Sequence, residues 1–374
     1  MKRVNSIGFV TAVASSLALL SGVAALPVAA QTPPGTNAAA DITAGLPPAL
    51  RAAVLAGNTQ AVSQAIATLS VGNPAQAAGL ADQVVRAAER LFPANPKGAI
   101  LIAQAAVGAV RNNPVQQAAP QQTESVITIA ARLFINPIAA RIAPDETGQL
   151  VVATINAAAT TNNSSLSATT AAQGVGVAEK MLSSNAASAI QIAGAAMQSV
   201  KQTSVMSGSP QQSLQVASAV ARISVAPEAQ TVAPREVAAM AVVAVQVATT
   251  PAVYQTSPSA AITVMAQAYA AVNTTTVTAA APAANSAITG QLTQAAKSTS
   301  LGQSNPTNDS QVTQILAKEG PTYTQALATA TAAPTLTTNT TPQTQAPQTQ
   351  IQQNETKNDT LIREENKNGS VSPS

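Results

Sequence analysis

The chain has 374 residues, 18 of them Lys or Arg against 15 Asp or Glu, a formal net charge of +3, and only 2% aromatic residues. It contains no Cys, His or Trp, which excludes disulfide stapling, thiolate or imidazole metal and haem sites, and any catalytic scheme with a histidine base. Its basic residues form no stripe that could follow phosphates and its few aromatics form no stacking platform, so nucleic-acid binding is not expected.

Lys2 and Arg3 precede an apolar run from Ile7 to Leu26, and Val28-Ala29-Ala30 offers a signal-peptidase site. Residues 1–30 therefore read as a secretory signal peptide cleaved after Ala30, and the protein as exported, periplasmic or extracellular. Without Lys2 and Arg3, 16 basic residues face 15 acidic ones, and the basic balance loses its meaning. Residues 31–46, polar and rich in Gly and Pro, read as a flexible lead-in.

Residues 48–70 predict a short helix pair, with Gly57 ending the first helix and Asn58 or Thr59 capping the second. The stretch AGNTQAVSQAI (56–66) resembles the opening of the second helix in ankyrin-type repeats. The consensus turn and the TPLH-like box of that family are absent, so neither its fold nor its function is carried over.

From residue 47 to 300 the chain is rich in Ala, Val, Ile and Gln and repeats itself. Blocks starting at Gly98, Gly148, Ser188 and Arg235 align. Their third, sixth, tenth and thirteenth positions (Ile100, Ala103, Val107 and Val110 in the first block) form one helical face. A second segment type ends on Arg90, Arg132, Lys180 and Arg222, spaced 42, 48 and 42 residues apart. These two families predict a helix-pair module of 40 to 50 residues, a period of helical repeat arrays.

Asn-Pro or Ser-Pro pairs at 73, 95, 113, 136, 209 and 257 supply a cap followed by a proline that suits the first helical turn. Asp145 and Glu146 suit a helix start, and the four basic residues suit helix C-termini, where they complement the last carbonyls. Between Lys97 and Arg111 only Gln104 interrupts an apolar run, yet thirteen residues are too few to span a bilayer. The Val/Thr-rich runs within 243–282 favour strands by propensity and predict a frayed or irregular terminal module. Residues 301–374, dominated by Thr, Gln, Asn, Ser and Pro, read as a disordered tail.

The expected fold is all-α: an array of short Ala-rich helix pairs, α-solenoid-like or an irregular helical bundle. Chemistry is scarce. No Lys has a Ser three positions before it, no G-x-S-x-G elbow or phosphate-binding loop occurs, and GVGVAE at 174–179 lacks the third glycine of a dinucleotide fingerprint. Asp82 is placed to pair with Arg86, and Glu89 and Glu179 fall on exposed faces beside basic residues. No catalytic, cofactor-binding or metal residue is assigned, and no cofactor is expected. The expected function is a non-enzymatic structural or protein-interaction role in the envelope or outside the cell, with an unknown protein or envelope component as partner. The alternatives are a peripheral membrane- or wall-associated protein and, less favoured, a histidine-independent hydrolase.

Overall fold

The computed structural model describes residues 43–331, and among these every regular element is a helix. The expected signal peptide, most of the lead-in and the tail beyond Thr331 lie outside the described residues. No helix among those described is long and apolar enough to cross a membrane.

The first pair is α1 (Pro48–Leu55) and α2 (Thr59–Leu69). They meet at Gly57, whose φ of +63° is a conformation only glycine adopts without strain. Asn58 caps α2 by accepting from the N–H of Ala61.

Six helices follow: α3 (Pro74–Leu91), α4 (Pro96–Val110), α5 (Asn113–Ala118), α6 (Pro120–Ile135), α7 (Pro137–Ile142) and α8 (Pro144–Ala159). The same six then recur as α9 (Ser164–Met181), α10 (Ala186–Val200), α11 (Thr203–Gly208), α12 (Pro210–Val225), α13 (Pro227–Val232) and α14 (Pro234–Ala248). Each begins 90 residues after its counterpart, so the structural repeat is a double module rather than the single helix pair expected from sequence. After the connecting helix α15 (Pro251–Tyr254), the chain continues through α16 (Pro258–Val272), α17 (Thr275–Ala280), α18 (Pro282–Ala296), α19 (Thr299–Ser304), α20 (Asn308–Ala317) and α21 (Gly320–Thr331) without repeating the six-helix order a third time.

The long helices form two layers. In one, α3, α6, α9, α12, α16 and α21 pack side by side in that order; in the other, α2, α4, α8, α10, α14 and α18 do the same. Each helix also rests on its neighbours across the layers, α6 on α4 and α8, and α9 on α8 and α10. This is the stacked array, and it explains the apolar run of α4. With α2 and α8 beside it and α3 and α6 across from it, this helix needs apolar residues around most of its circumference.

Ile100, Ala103, Val107 and Val110 are fully buried, and the corresponding Ile190, Ala193, Met197 and Val200 of α10 and Val237, Met240, Ala244 and Val247 of α14 are at most 5% exposed. In α8 the predicted face holds at Leu150 and Ala157, while Ala153 is half-buried and Thr160 exposed. Small side chains let the layers close together: a Cβ on Gly174 of α9 would lie 2.6 Å from Ile155 Cδ1 of α8. GVGVAE is thus a helix-packing segment, with its first glycine at the contact.

Proline sets the joints. A residue preceding proline is sterically pushed out of the α region, and Ala119, Ala143, Ser209, Ala233 and Ala281 all leave it, with φ between −138° and −147° and ψ between 57° and 67°. Each ends a six-residue helix and starts a long one. The backbone stays satisfied: the Ala119 N–H donates to Val115 O at 3.0 Å, and Ala119 O accepts from Thr123 N at 3.1 Å. Each short helix anchors itself by a buried third residue, among them Val115, Ala139, Val205, Ala229, Val277 and Leu301.

Two sequence expectations are corrected here. Residues 243–282 are not frayed: they form the end of α14, then α15, α16, α17 and the first residue of α18, with Val245, Val247, Val253, Tyr254, Val264 and Val277 fully buried. Burial on both sides of a layer overrides the strand preference of β-branched residues. The helical array also runs past residue 300. Leu301, Val312, Ile315 and Ala326 bury enough apolar surface to hold α19 to α21 in place.

Candidate functional site

The long helices of one layer lead into those of the other at two edges of the stack. At one edge, where α4 passes to α6, α10 to α12 and α14 to α16, and where α18 leads on to α20, a short helix makes the connection. The passages from α2 to α3 and from α8 to α9 use four-residue loops, Ser70–Asn73 and Thr160–Asn163. A loop fills less space than a short helix, and a cleft accompanies each. They lie on either side of α5: Asn112 and Val115 line the first, Asn113 and Gln116 the second.

The first cleft, about 620 Å³, is walled mainly by small and apolar groups such as Ile66, Ala77, Ala105, Ala109 and Val115. The second, about 720 Å³, is polar, with Gln116, Thr123, Glu124, Thr160, Asn162 and Asn163 among its lining residues. Both fall in the size range of small-ligand sites.

Hydrogen bonds fix the second cleft's walls. Gln116 Nε2 donates to Thr160 Oγ1 at 2.8 Å and to Ala157 O at 3.2 Å, tying α5 to the end of α8. Asn163 caps α9 through its Oδ1 and donates from Nδ2 to Glu124 Oε1 at 3.0 Å. Thr123 is 1% exposed and its hydroxyl has no hydrogen-bond partner. A buried hydroxyl left unpaired is unfavourable by about 1–3 kcal/mol. Thr147 also carries an unpartnered buried hydroxyl, but it lines neither cleft.

The second copy provides a control built into the chain. Ninety residues on, Gln116 becomes Met206, Glu124 becomes Leu214, Asn163 becomes Val253 and Ser164 becomes Tyr254. The loop Thr160–Asn163 is answered by α15, which packs on α11 and α12 and buries Val253 and Tyr254 completely. Ser213, the counterpart of Thr123, returns its hydroxyl to Ser209 O at 3.0 Å. Three polar residues of the cleft, Gln116, Glu124 and Asn163, are thus apolar in the second copy, where the buried Val253 and Tyr254 fill the place of the loop.

The basic column has a structural role that sequence reading assigned differently. All four residues sit in the last turns of their helices. Arg132 and Arg222, however, bind not their own carbonyls but Glu89 and Glu179 on the preceding helix of the layer, at 2.9 and 2.6 Å. Glu179 is not on an exposed face, its side chain being 7% exposed. Asp82 pairs with Arg86 as expected, and Ser125 of the next helix joins both. Asp145 and Glu146 do occupy the first turn of α8, and Glu146 also bonds Lys97 on α4. That bond holds the Glu146 carboxyl below its ordinary value and raises Lys97 above its own.

Among the described residues no three Asp or Glu groups converge as metal ligands. The second cleft brings together carboxamides, hydroxyls and a single carboxylate, groups that bind a ligand by hydrogen bonds and one charge. Sequence reading assigned none of them a functional role, Asn113 being expected only as a helix cap. The chain matches no protein-family model, no curated protein and no solved structure.

Proposed function

We propose that this is an exported helical-repeat protein that acts by binding, as a structural or interaction scaffold in the cell envelope or outside the cell. The observation that supports this is the edge around α5, where two adjoining clefts open and one is lined by Gln116, Glu124 and Asn163 where the second copy has Met206, Leu214 and Val253. Solenoid-like arrays present extended surfaces of this kind to proteins and peptides. The arrangement favours a scaffold over a hydrolase because the polar cleft contains one carboxylate and no second acid or base to share the chemistry.

The test is in two parts. Osmotic-shock fractionation of cells is expected to release the mature chain, and cross-linking of the full chain in those fractions is expected to capture a protein through residues of α5, α6 or the α8–α9 loop. Retention in the cytosol, or cross-links confined to other faces, would overturn the reading.

A further inference from the structure

We propose that the polar cleft between α5, α6 and the α8–α9 loop binds the ammonium group of a lysine side chain on a partner polypeptide, with Glu124 as its counter-ion. This rests on the interaction reading above and names the chemistry of the partner at that site.

Charge narrows the ligand first. Glu124 is the single charged residue lining the cleft, so an anionic ligand meets repulsion and a cationic one attraction. The carboxylate is held ready: Asn163 Nδ2 engages Oε1 at 3.0 Å, and Asn163 is itself fixed by capping α9. A ligand cation adds a charge-assisted bond to a group whose orientation is already set.

The remaining groups suit a peptide main chain. Carboxamides and hydroxyls both donate and accept, matching the alternating N–H and C=O of an extended segment. Gln116 is immobilised by its bonds to Ala157 and Thr160. No aromatic residue lines the cleft, so a saccharide finds no ring to stack on. The internal repeat isolates these features, because Met206, Leu214 and Val253 keep the fold at the equivalent positions without them.

The test uses the full chain and fluorescently labelled pentapeptides Gly-Gln-Lys-Gln-Gly and Gly-Gln-acetyllysine-Gln-Gly, read by anisotropy. The lysine peptide is expected to bind roughly tenfold or more tightly than its neutral twin, the worth of one charge-assisted bond. Glu124→Gln is expected to erase that difference, and Gln116→Met with Glu124→Leu, residues the second copy already carries, to remove binding of both. Circular dichroism melts of the variants establish that they are folded.

Equal affinity of the twins, a preference that survives Glu124→Gln, or competition by a neutral oligosaccharide but not by unlabelled lysine peptide each overturns the proposal. If neither peptide binds while the chain still cross-links to a protein, the lysine site is wrong and the scaffold reading stands. If both fail, both are wrong.

Discussion

The double modules at 74–163 and 164–253 start their six helices 90 residues apart throughout, yet they keep some exposed groups and change others. Pro120, Pro137 and Pro144 return as Pro210, Pro227 and Pro234, and Glu89 and Arg132 return as Glu179 and Arg222. Those are the groups that set the joints and tie one layer helix to the next. Gln116, Glu124 and Asn163 do not return, and they line the polar cleft. The difference separates what the array needs in order to stack from what one copy does with its surface.

The largest test of that separation lies at Tyr254, which stands where the first copy has Ser164. Its ring is fully buried, and its hydroxyl donates to Asn308 at 2.9 Å and accepts from Asn305 at 3.0 Å. Tyr254→Ala is expected to destabilise by about 3–5 kcal/mol, by cavity formation and loss of that network. A urea melt measures it, and a cost near zero would mean that the second copy is not closed by this residue.

Next come the paired arginines. Arg222→Met leaves Glu179 enclosed without its cation and is expected to cost about 3 kcal/mol. Arg132→Met, at a pair 54% and 39% exposed, is expected to cost about 0.5 kcal/mol in the same melts. Equal costs would erase the contrast between the copies.

Thr123→Val runs in the opposite direction. Replacing an unpartnered buried hydroxyl by a methyl group is expected to raise stability by about 1 kcal/mol, while Ser213→Ala, which removes a hydroxyl bonded to Ser209, should give no gain. Differential scanning calorimetry of both variants decides the matter.

The smallest effect concerns Lys97 and Glu146, a pair that the second copy lacks because Ala187 stands in place of the lysine. Glu146 is lowered from 4.5 chiefly by its hydrogen bond with Lys97, so its stabilisation is present above pH 4.5 and is lost as the pH falls through the lowered value. Lys97 is raised from 10.5, so its share is present below pH 10.5 and is lost as the pH rises past the raised value. Lys97→Ala should slightly flatten both ends of the stability profile, measured as Tm against pH.

Much of this scaffold is legible in the chain. Asn58, Asn73, Asn95 and Asn136 announce helix starts and cap them, and the Ala-rich faces lie where helical spacing puts them. The spacing of Arg90, Arg132, Lys180 and Arg222 already alternates between 42 and 48 residues. Averaged into one module of 40 to 50, that alternation hides the double unit. The short helices escape notice because six residues are too few for a periodic pattern; the Ala-Pro dipeptides ending at 120, 144, 234 and 282 are their signature. Asn113 misleads, because it opens α5 from within while Asn112 takes the cap position without a side-chain bond. The polar cleft is the least legible feature. Its walls come from three segments between 113 and 164, and it exists because a loop stands where other passages have a helix.

That alternation of loop and short helix governs which length variants the array tolerates. Excising residues 74–163 would join Asn73 to Ser164, replacing one capping asparagine with another before the same helix type, and every later seam would keep its match. Excising half as much would set a loop-type seam against a helix-type neighbour and leave an arginine facing no glutamate. Variants longer or shorter by whole double units are therefore expected to fold, with surface chemistry free to diverge between the units.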